Sequence, residues 1–323
     1  MPSMSRLSLS RPVLLTHLAS CQNILIAGAG GGFDVYAGLP IAKALARRKK
    51  KVTFANLSFS ALATTRDAEL APNVYAIRPD TEGPDHYFPE RLLARFLASS
   101  EGFEPVVYAF PRVGVVQLLE AYRELMQRFA FDAIVLVDGG TDILMFGDEA
   151  GLGTPVEDMT SLAAVGQLPL AHRHVACIGF GIDAHHGVCH AHFLENVAAL
   201  ERDGGFHGAF SVSRSTDEGA FFQRAVEHAR VHQPHQVSIV NGSIAHAMAG
   251  DFGDVQFTPR TSGSELFINP LMTMYFTFDL MSICKRNLYC RQLVETRHPF
   301  ETAAIIEGFR EGTKTRKRVV FPH

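Results

Sequence analysis

The sequence predicts an α/β protein built on a doubly wound, mainly parallel sheet with helices on both faces. Three observations support this prediction. Short apolar runs alternate with segments of helical periodicity, and two loops rich in glycine and aspartate each follow such a run directly. The 323 residues are also 47% hydrophobic and only 20% charged, a composition that can bury a large core.

The first half of the chain is typical of repeated strand–helix units. An apolar run reads as a buried strand, an apolar stripe at helical spacing follows it, and the order then repeats. The predicted strands and helices are, in sequence, 23–27, 39–46, 52–56, 105–110, 115–129 and 133–137. Such repeated crossovers predict parallel neighbours in one sheet.

The second half continues the alternation and then changes character. Its predicted elements are a helix at 156–165, a strand at 174–179, helices at 193–201 and 220–230, and a strand at 236–240. Residues 271–288 are rich in Met, Phe, Leu and Ile and predict a long helix, either buried in the core or forming a homodimer interface.

These patterns divide the chain into a core and its additions. We expect the α/β core at 20–257, with an excursion or flap at 57–104, where prolines and weak periodicity disfavour a core layer. A helical carboxyl-terminal elaboration at 258–312 is expected to pack on that core. Residues 1–19 and 313–323 are expected to be terminal extensions.

Charge and cysteine usage exclude several classes of protein. A net charge of −3 argues against a dedicated nucleic-acid binder, which would be strongly basic. No stretch of 18 uncharged apolar residues occurs, so no membrane span is expected. The five cysteines show no CxxC spacing, which favours reduced thiols in a cytoplasmic protein.

The first loop, residues 28–34 with the sequence GAGGGFD, offers groups for binding an anion. Glycines permit close backbone approach and positive φ, so successive N–H groups can converge on a phosphate near a helix N-terminus. The candidate ligand-binding residues here are Gly28, Gly30, Gly31, Gly32 and Asp34. Alternatively, the glycines bring a helix tightly onto the sheet and Asp34 caps it.

The second loop presents carboxylates directly after a buried strand. It consists of Asp138, Gly139, Gly140, Thr141 and Asp142. Its carboxylate oxygens suit Mg²⁺ or Mn²⁺, or hydrogen bonds to sugar hydroxyls, whereas Asp142 is alternatively a helix cap. Because the carboxyl ends of parallel strands share one edge of the sheet, both loops are expected to face one ligand.

Three further loops are predicted at the same edge. Asp183 follows the strand at 174–179 and is the best third acidic ligand, with His185 close behind it. Arg112 follows another strand and either clamps a phosphate or caps a loop. Asn241 follows the predicted strand at 236–240.

Other site types fit the sequence poorly. His186, Cys189, His190 and His192 lie close together, yet no HExxH or paired CxxC motif accompanies them, so zinc is not expected. An ordinary NAD site is disfavoured because Phe33 occupies the third fingerprint position. The expected acidic ribose ligand is replaced by Asn56 and its neighbours, although a nucleotide is not excluded.

Several of these motifs together resemble a known family. Residues 24–34, 137–144, 147–152 and 179–183 are similar to the family of unknown function numbered 1152, in order over about residues 20–210. The carboxyl-terminal third resembles it only loosely, and Phe33 departs from its glycine loop. The resemblance implies a Rossmann-like α/β unit and a site at Gly30, Gly31, Gly32, Asp34, Asp138, Gly140, Asp142, Glu149 and Asp183.

The leading hypothesis is an enzyme acting on a phosphorylated nucleotide-like or sugar-phosphate molecule, by hydrolysis or group transfer. In it the glycine loop holds phosphate, and the metal ligands are Asp138, Asp142 and Asp183. Glu149 or His185 activates water. The alternatives are a non-catalytic nucleotide sensor and an atypical NAD(P)-dependent oxidoreductase.

Overall fold

The computed structural model describes residues 8, 10–65 and 68–320. These form one nine-stranded sheet with helices on both of its faces. The strands are β1 (Asn23–Gly28), β2 (Lys51–Leu57), β3 (Glu69–Ala71), β4 (Val74–Ile77), β5 (Val107–Phe110), β6 (Ala133–Gly139), β7 (His172–Ile178), β8 (Phe206–Ser211) and β9 (Met274–Asp279). The helices are α1 (Val13–His17), α2 (Leu39–Ala46), α3 (Pro89–Ala98), α4 (Val115–Phe129), α5 (Pro155–Gly166), α6 (His190–Arg202), α7 (Asp217–His232), α8 (Ile239–Ala249), α9 (Leu280–Arg286) and α10 (Pro299–Gly312).

The centre of the sheet is parallel and its edges are antiparallel. The strand order is β3-β4-β5-β2-β1-β6-β7-β9-β8, and the five strands from β5 to β7 run parallel. On one edge β4 and β3, and on the other β9 and β8, pair antiparallel. The predicted α/β class with a mainly parallel core is therefore confirmed.

The central strands are apolar along their whole length because both of their faces are covered. Successive residues of β1 point to opposite sides, so Leu25 joins one hydrophobic core and Ile26 the other. The core on the Leu25 side includes side chains of α4, α5, α6, α9 and α10. The core on the Ile26 side includes side chains of α1, α2, α3, α7 and α8.

The segment 57–104 is not a flap. It adds β3 and β4 to the sheet edge, and Leu92, Leu93 and Leu97 of α3 are buried in the core on the Ile26 side. The apolar stretches in this segment are short and separated by prolines, so the sequence shows no clear strand or helix periodicity there.

Two predicted elements are wrong. The segment 236–240, predicted as a strand, instead leads from a 3₁₀ helix (Pro234–Gln236) into α8. The Ser238 hydroxyl caps α8 by accepting a hydrogen bond from the Asn241 amide at 3.1 Å. The predicted long helix at 271–288 is divided between β9 and α9. Asp279 ends β9 and caps α9 by accepting from the Ser282 amide at 2.8 Å.

This division also corrects the expected helical elaboration. β9 lies between β7 and β8, so the carboxyl-terminal region contributes a strand to the sheet itself. The single long helix expected at 271–288 is therefore replaced by a strand and the short helix α9. Within the described part of the chain, none of the helices has the length and apolarity needed to cross a membrane.

Candidate functional site

The two predicted loops meet where the strand order reverses. β1 and β6 are neighbours at the centre of the sheet, with β2 on the far side of β1 and β7 on the far side of β6. Such a reversal opens a crevice at the carboxyl ends of the strands. β1 ends at Gly28 and β6 ends at Gly139, so both glycine–aspartate loops lie at this crevice.

Three aspartates converge there. One carboxylate oxygen from each of Asp34, Asp138 and Asp158 lies within 4.8 Å of the other two. Asp34 begins a short 3₁₀ helix after the first loop, Asp138 is the second-to-last residue of β6, and Asp158 is in the first turn of α5. We call these three residues the aspartate triad. Oxygen donors at this spacing suit a hard divalent cation.

Asp158 completes the triad and is not among the site residues predicted from the sequence. Its side chain is 3% exposed, and its Oδ1 has no hydrogen-bond partner among the described residues. Gly30 permits its approach, because a Cβ at that position would lie 3.0 and 3.1 Å from the two Asp158 oxygens. An acid in the first turn of a helix is common for reasons of helix polarity alone, so the sequence carried no distinctive signal.

Asp34 is held by the glycine loop itself. The Gly30 amide donates a hydrogen bond to Asp34 Oδ2 at 2.7 Å. Burial raises the pKa of Asp34 to about 7, and the neighbouring Asp142 carboxylate acts in the same direction. Asp34 therefore exchanges its proton close to neutral pH.

Asp142 and Asp183, both predicted as metal ligands, lie beside the triad but face hydrogen-bond donors. Asp142 Oδ2 accepts from the Thr154 amide (2.7 Å) and hydroxyl (3.3 Å). Asp183 Oδ2 accepts from the Thr141 amide (2.6 Å) and hydroxyl (3.3 Å). Of the three predicted ligands, only Asp138 belongs to the triad.

The five carboxyl groups strongly influence one another. Burial raises the pKa values of Asp138, Asp158 and Asp183 well above the usual range, and the surrounding carboxylates raise them further. Like charges this close cannot all ionise in a poorly solvated site. The cluster must retain protons or bind a cation.

The second loop contains glycines because carboxylates occupy the space around them. A Cβ on Gly139 would lie 3.1 Å from an Asp34 oxygen, and one on Gly140 would lie 2.8 Å from an Asp183 oxygen. Thr141 donates to Asp183, as described above. All three predicted ligand-binding residues of this loop therefore shape the acidic cluster.

Two backbone amides of the first loop, expected from the sequence to be available for an anion, already donate hydrogen bonds within the protein. Its Gly30 amide is used by Asp34, and its Gly32 amide donates to the Leu57 carbonyl at 3.1 Å. Gly31 and Gly32 have φ values of 90° and 60°, which favour glycine. The Phe59 ring covers them, at 3.0 and 3.3 Å from where their Cβ atoms would lie.

Gly28 is also explained by packing. A Cβ there would collide with Asn56 Oδ1 and lie 2.8 Å from the Val35 amide nitrogen. Asn56 Nδ2 donates to the Gly32 carbonyl and to Glu90, each at 2.7 Å. Asn56, which stands where a dinucleotide site would have its acidic ribose ligand, therefore connects β2 to the glycine loop.

Arg112 lies at the edge of the site. Its side chain is about half exposed, and its Nε is 3.3 Å from a carboxylate oxygen of Glu157, the residue before Asp158. Its guanidinium also lies 5.5 Å from the centre of the Phe59 ring. Arg112 is thus a cation next to the acidic cluster.

Asn241 reaches the first loop from α8. Its Nδ2 donates to the Phe33 carbonyl at 3.0 Å, and its buried Oδ1 is without a partner in the described ranges. The preceding residue, Val240, lies 3.2 Å from where a Gly139 Cβ would be. The N-terminal end of α8 therefore points toward the crevice.

Two residues predicted to be catalytic, Glu149 and His185, do not belong to the aspartate triad or hydrogen-bond to it. Glu149 is fully buried and accepts from the Phe146 and Gly147 amides (both 2.8 Å) and from Asn196 Nδ2 (2.6 Å). Arg316 lies 3.0 Å from it. These contacts make Glu149 an anchor for its own loop and for the carboxyl-terminal segment, so its placement does not support a role in activating water.

His185 is exposed on the 3₁₀ helix Ile182–His186. It is the adjacent His186 whose charge acts on Asp142 and lowers the pKa of that carboxyl group, against the larger effect of burial. The histidine pair therefore lies at the outer side of the cluster, and His185 makes no hydrogen bond to the triad among the described residues.

Comparison with known proteins identifies one family. The sequence model of a family described as "Protein of unknown function (DUF1152)" matches residues 66–310. The match includes Asp138, Asp158 and most of the carboxyl-terminal third, whereas the first glycine loop and Asp34 precede it. No curated protein and no solved structure matches the chain.

Proposed function

The chain belongs to the DUF1152 family of proteins of unknown function, and we propose that it is an enzyme that uses Mg²⁺ or Mn²⁺ to act on a phosphorylated small molecule. The observation that carries the proposal is the aspartate triad, whose three oxygens lie within 4.8 Å of one another. The reaction is hydrolysis or group transfer on a nucleotide-like or sugar phosphate.

A divalent cation would resolve the electrostatic conflict in the site. It would neutralise carboxylates that otherwise repel one another and would satisfy the unpartnered Oδ1 of Asp158. Mg²⁺ usually takes only a few protein carboxylates and keeps its other positions for water and phosphate oxygens. Asp34, Asp138 and Asp158 would be the protein ligands.

A phosphorylated ligand fits the groups around the triad. Without a cation, the carboxylates would repel an anion, so phosphate binding is expected to depend on the metal. Arg112 lies at the edge of the site, and the N-terminal end of α8 points toward it. Both supply positive potential for a phosphate group.

We assign Asp183 as the general base in place of Glu149 or His185. Its Oδ2 is held by Thr141, and burial keeps its pKa well above that of an ordinary aspartate. In its ionised form Asp183 would accept a proton from water as the water oxygen bonds to phosphorus and the bond from phosphorus to the leaving oxygen breaks; the leaving oxygen then takes up a proton from solvent. Asp183 adjoins Asp138 across Gly140, which places the base next to the proposed cation.

Mn²⁺ binding tests the metal site directly. Isothermal titration calorimetry of the wild type and of Asp158→Asn should show one Mn²⁺ bound, with affinity lowered at least about 10-fold in the variant. The control is Asp203→Asn, which removes an exposed carboxylate paired with Arg286 at 2.7 Å. Equal affinity in all three proteins would exclude the triad as the site.

Turnover tests the chemistry. With Mn²⁺ present, nucleotides and sugar phosphates are screened for release of phosphate or for other products by chromatography. Asp183→Asn should lower turnover at least about 100-fold while Mn²⁺ still binds, because it removes the base and keeps all three residues of the triad. Saturable, metal-dependent binding of a nucleotide without any product would instead favour the non-catalytic sensor.

A further inference from the structure

A second polar cluster lies at the opposite end of the sheet from the aspartates. Four histidine rings pack together there: His17 from α1, His172 and His174 from β7, and His207 from β8. The centre of the His174 ring lies 5.8 Å from that of His17, 5.2 Å from that of His207 and 6.2 Å from that of His172. His17 and His207 are stacked at 4.3 Å. We call this group the histidine cluster.

His174, at the centre of the cluster, is buried although its two ring nitrogens make no hydrogen bond among the described residues. Its side chain is 4% exposed, and neither Nδ1 nor Nε2 has a hydrogen-bond partner among the residues that the structure describes. The Nδ1 of His207 also has none there. A neutral imidazole carries one N–H donor and one acceptor nitrogen, and burying both unpaired costs free energy.

Burial favours the neutral form of three rings in the cluster. Burial lowers the pKa values of His17, His174 and His207, and the neighbouring histidines lower them further; the pKa of His207 falls to about 4. Neutral imidazole is the form that binds a metal ion.

A carboxylate supports the cluster from the strand between β7 and β8. Asp279 of β9 is the register partner of His174, and its charge opposes the lowering of the pKa values of His17 and His207. Its Oδ2 accepts from the Ser282 amide and hydroxyl at 2.8 and 2.9 Å. A fixed carboxylate beside imidazoles commonly orients ligating histidines.

We propose that the histidine cluster binds a transition-metal ion of the Zn²⁺ or Co²⁺ type, separately from the aspartate triad. Two imidazoles on one tetrahedral ion have ring centres roughly 5 Å apart, close to the spacings around His174. As the rings stand, no three of their nitrogens lie close enough together to share an ion, so binding requires His17 and His207, both only partly buried, to rotate their nitrogens toward His174. Imidazole nitrogens favour these ions over Mg²⁺, whereas the triad offers only oxygen.

Cobalt absorption distinguishes this site from the triad. Co²⁺ held by imidazoles in tetrahedral geometry gives strong visible bands, whereas Co²⁺ among carboxylates and water is nearly colourless. Untagged protein titrated with Co²⁺ should therefore develop strong visible bands with a stoichiometry of one. Zn²⁺ should displace them.

Variants assign the bands. His207→Ala and His17→Ala should each weaken Co²⁺ binding at least about 10-fold. Two controls should keep the bands: His185→Ala, which removes an exposed histidine elsewhere, and Asp158→Asn, which disables the triad. Absence of strong bands in the folded wild type, or bands unchanged in both His17→Ala and His207→Ala, would overturn the proposal. Because the Mn²⁺ assay reads the triad alone, either site can fail without the other.

Discussion

Replacing Glu90 by Gln should make the protein more stable at alkaline pH. Glu90 lies in the first turn of α3, is 0% exposed and accepts from Asn56 Nδ2 at 2.7 Å. Burial raises its pKa from 4.5 to about 7, although the Asn56 hydrogen bond opposes the shift. Glutamine keeps the acceptor oxygen for Asn56 and removes the charge that has to form above about pH 7.

The direction and size of the effect follow from proton linkage. Because the folded-state pKa is the higher one, the folded protein binds the Glu90 proton more tightly than the unfolded chain does. The free energy of unfolding is then highest below the unfolded pKa and falls as pH rises to about 7. With the pKa values above, the Glu90 contribution should fall by about 2.5 kcal/mol between about pH 5 and about pH 8.

Urea unfolding followed by circular dichroism measures this difference. Subtracting the wild-type curve from that of Glu90→Gln cancels most contributions of the other buried acids. The variant should gain about 2.5 kcal/mol relative to wild type from about pH 5 to about pH 8. Glu101→Gln, which alters an exposed glutamate just beyond α3, is the control. A difference that is independent of pH, or a variant less stable at about pH 8, would refute the reasoning.

Three further predictions concern packing, an ion pair and the pH dependence of metal binding. Gly28→Ala should lower the free energy of unfolding by about 1–3 kcal/mol, because its Cβ would collide with Asn56, whereas Gly308→Ala on the open face of α10 should not; urea midpoints compare the two. Glu149→Ala should cost about 3 kcal/mol by leaving the buried Phe146 and Gly147 amides without their acceptor and removing one ion pair of Arg316, yet calorimetry should find Mn²⁺ affinity unchanged. Mn²⁺ affinity should rise with pH through about pH 7, because Asp34, with a pKa of about 7, and the other triad carboxyls, whose pKa values are also raised, must lose protons when the ion binds; a flat profile from calorimetry would contradict this.

The parallel core could be predicted because its strands carry an unambiguous signal. β1 and β6 are buried on both faces, so they read as continuous apolar runs that end in glycine. The start of α8 and the strand β9 are also short apolar runs, and periodicity cannot separate a strand from a buried helix at that length. The capping contacts of Ser238 and Asp279, which decide these cases, depend on the tertiary fold.

The site could be predicted only in part, for a related reason. Asp34 and Asp138 follow strands directly, so the rule about strand ends brings them together. Asp158 reaches them from a helix twenty residues after Asp138, where a first-turn acid is unremarkable in sequence. For Glu149 the sequence was misleading in the other direction. Its family-like motif suggested a catalytic residue, whereas its hydrogen bonds are those of a structural anchor.

The energetics of the acidic cluster are themselves an argument for a ligand. Asp138, Asp158 and Asp183 are buried side by side, and each raises the free energy of ionising the others. Glycines at positions 30 and 140 leave the space that lets these carboxylates approach so closely. If stability alone were selected, asparagines would be favoured at these positions, because an amide oxygen can accept the same hydrogen bonds without the repulsion between buried charges. Carboxylates held at such a cost are best explained by something that binds among them and carries positive charge, which is why the cation, and not the glycine loop, is the centre of the proposed chemistry.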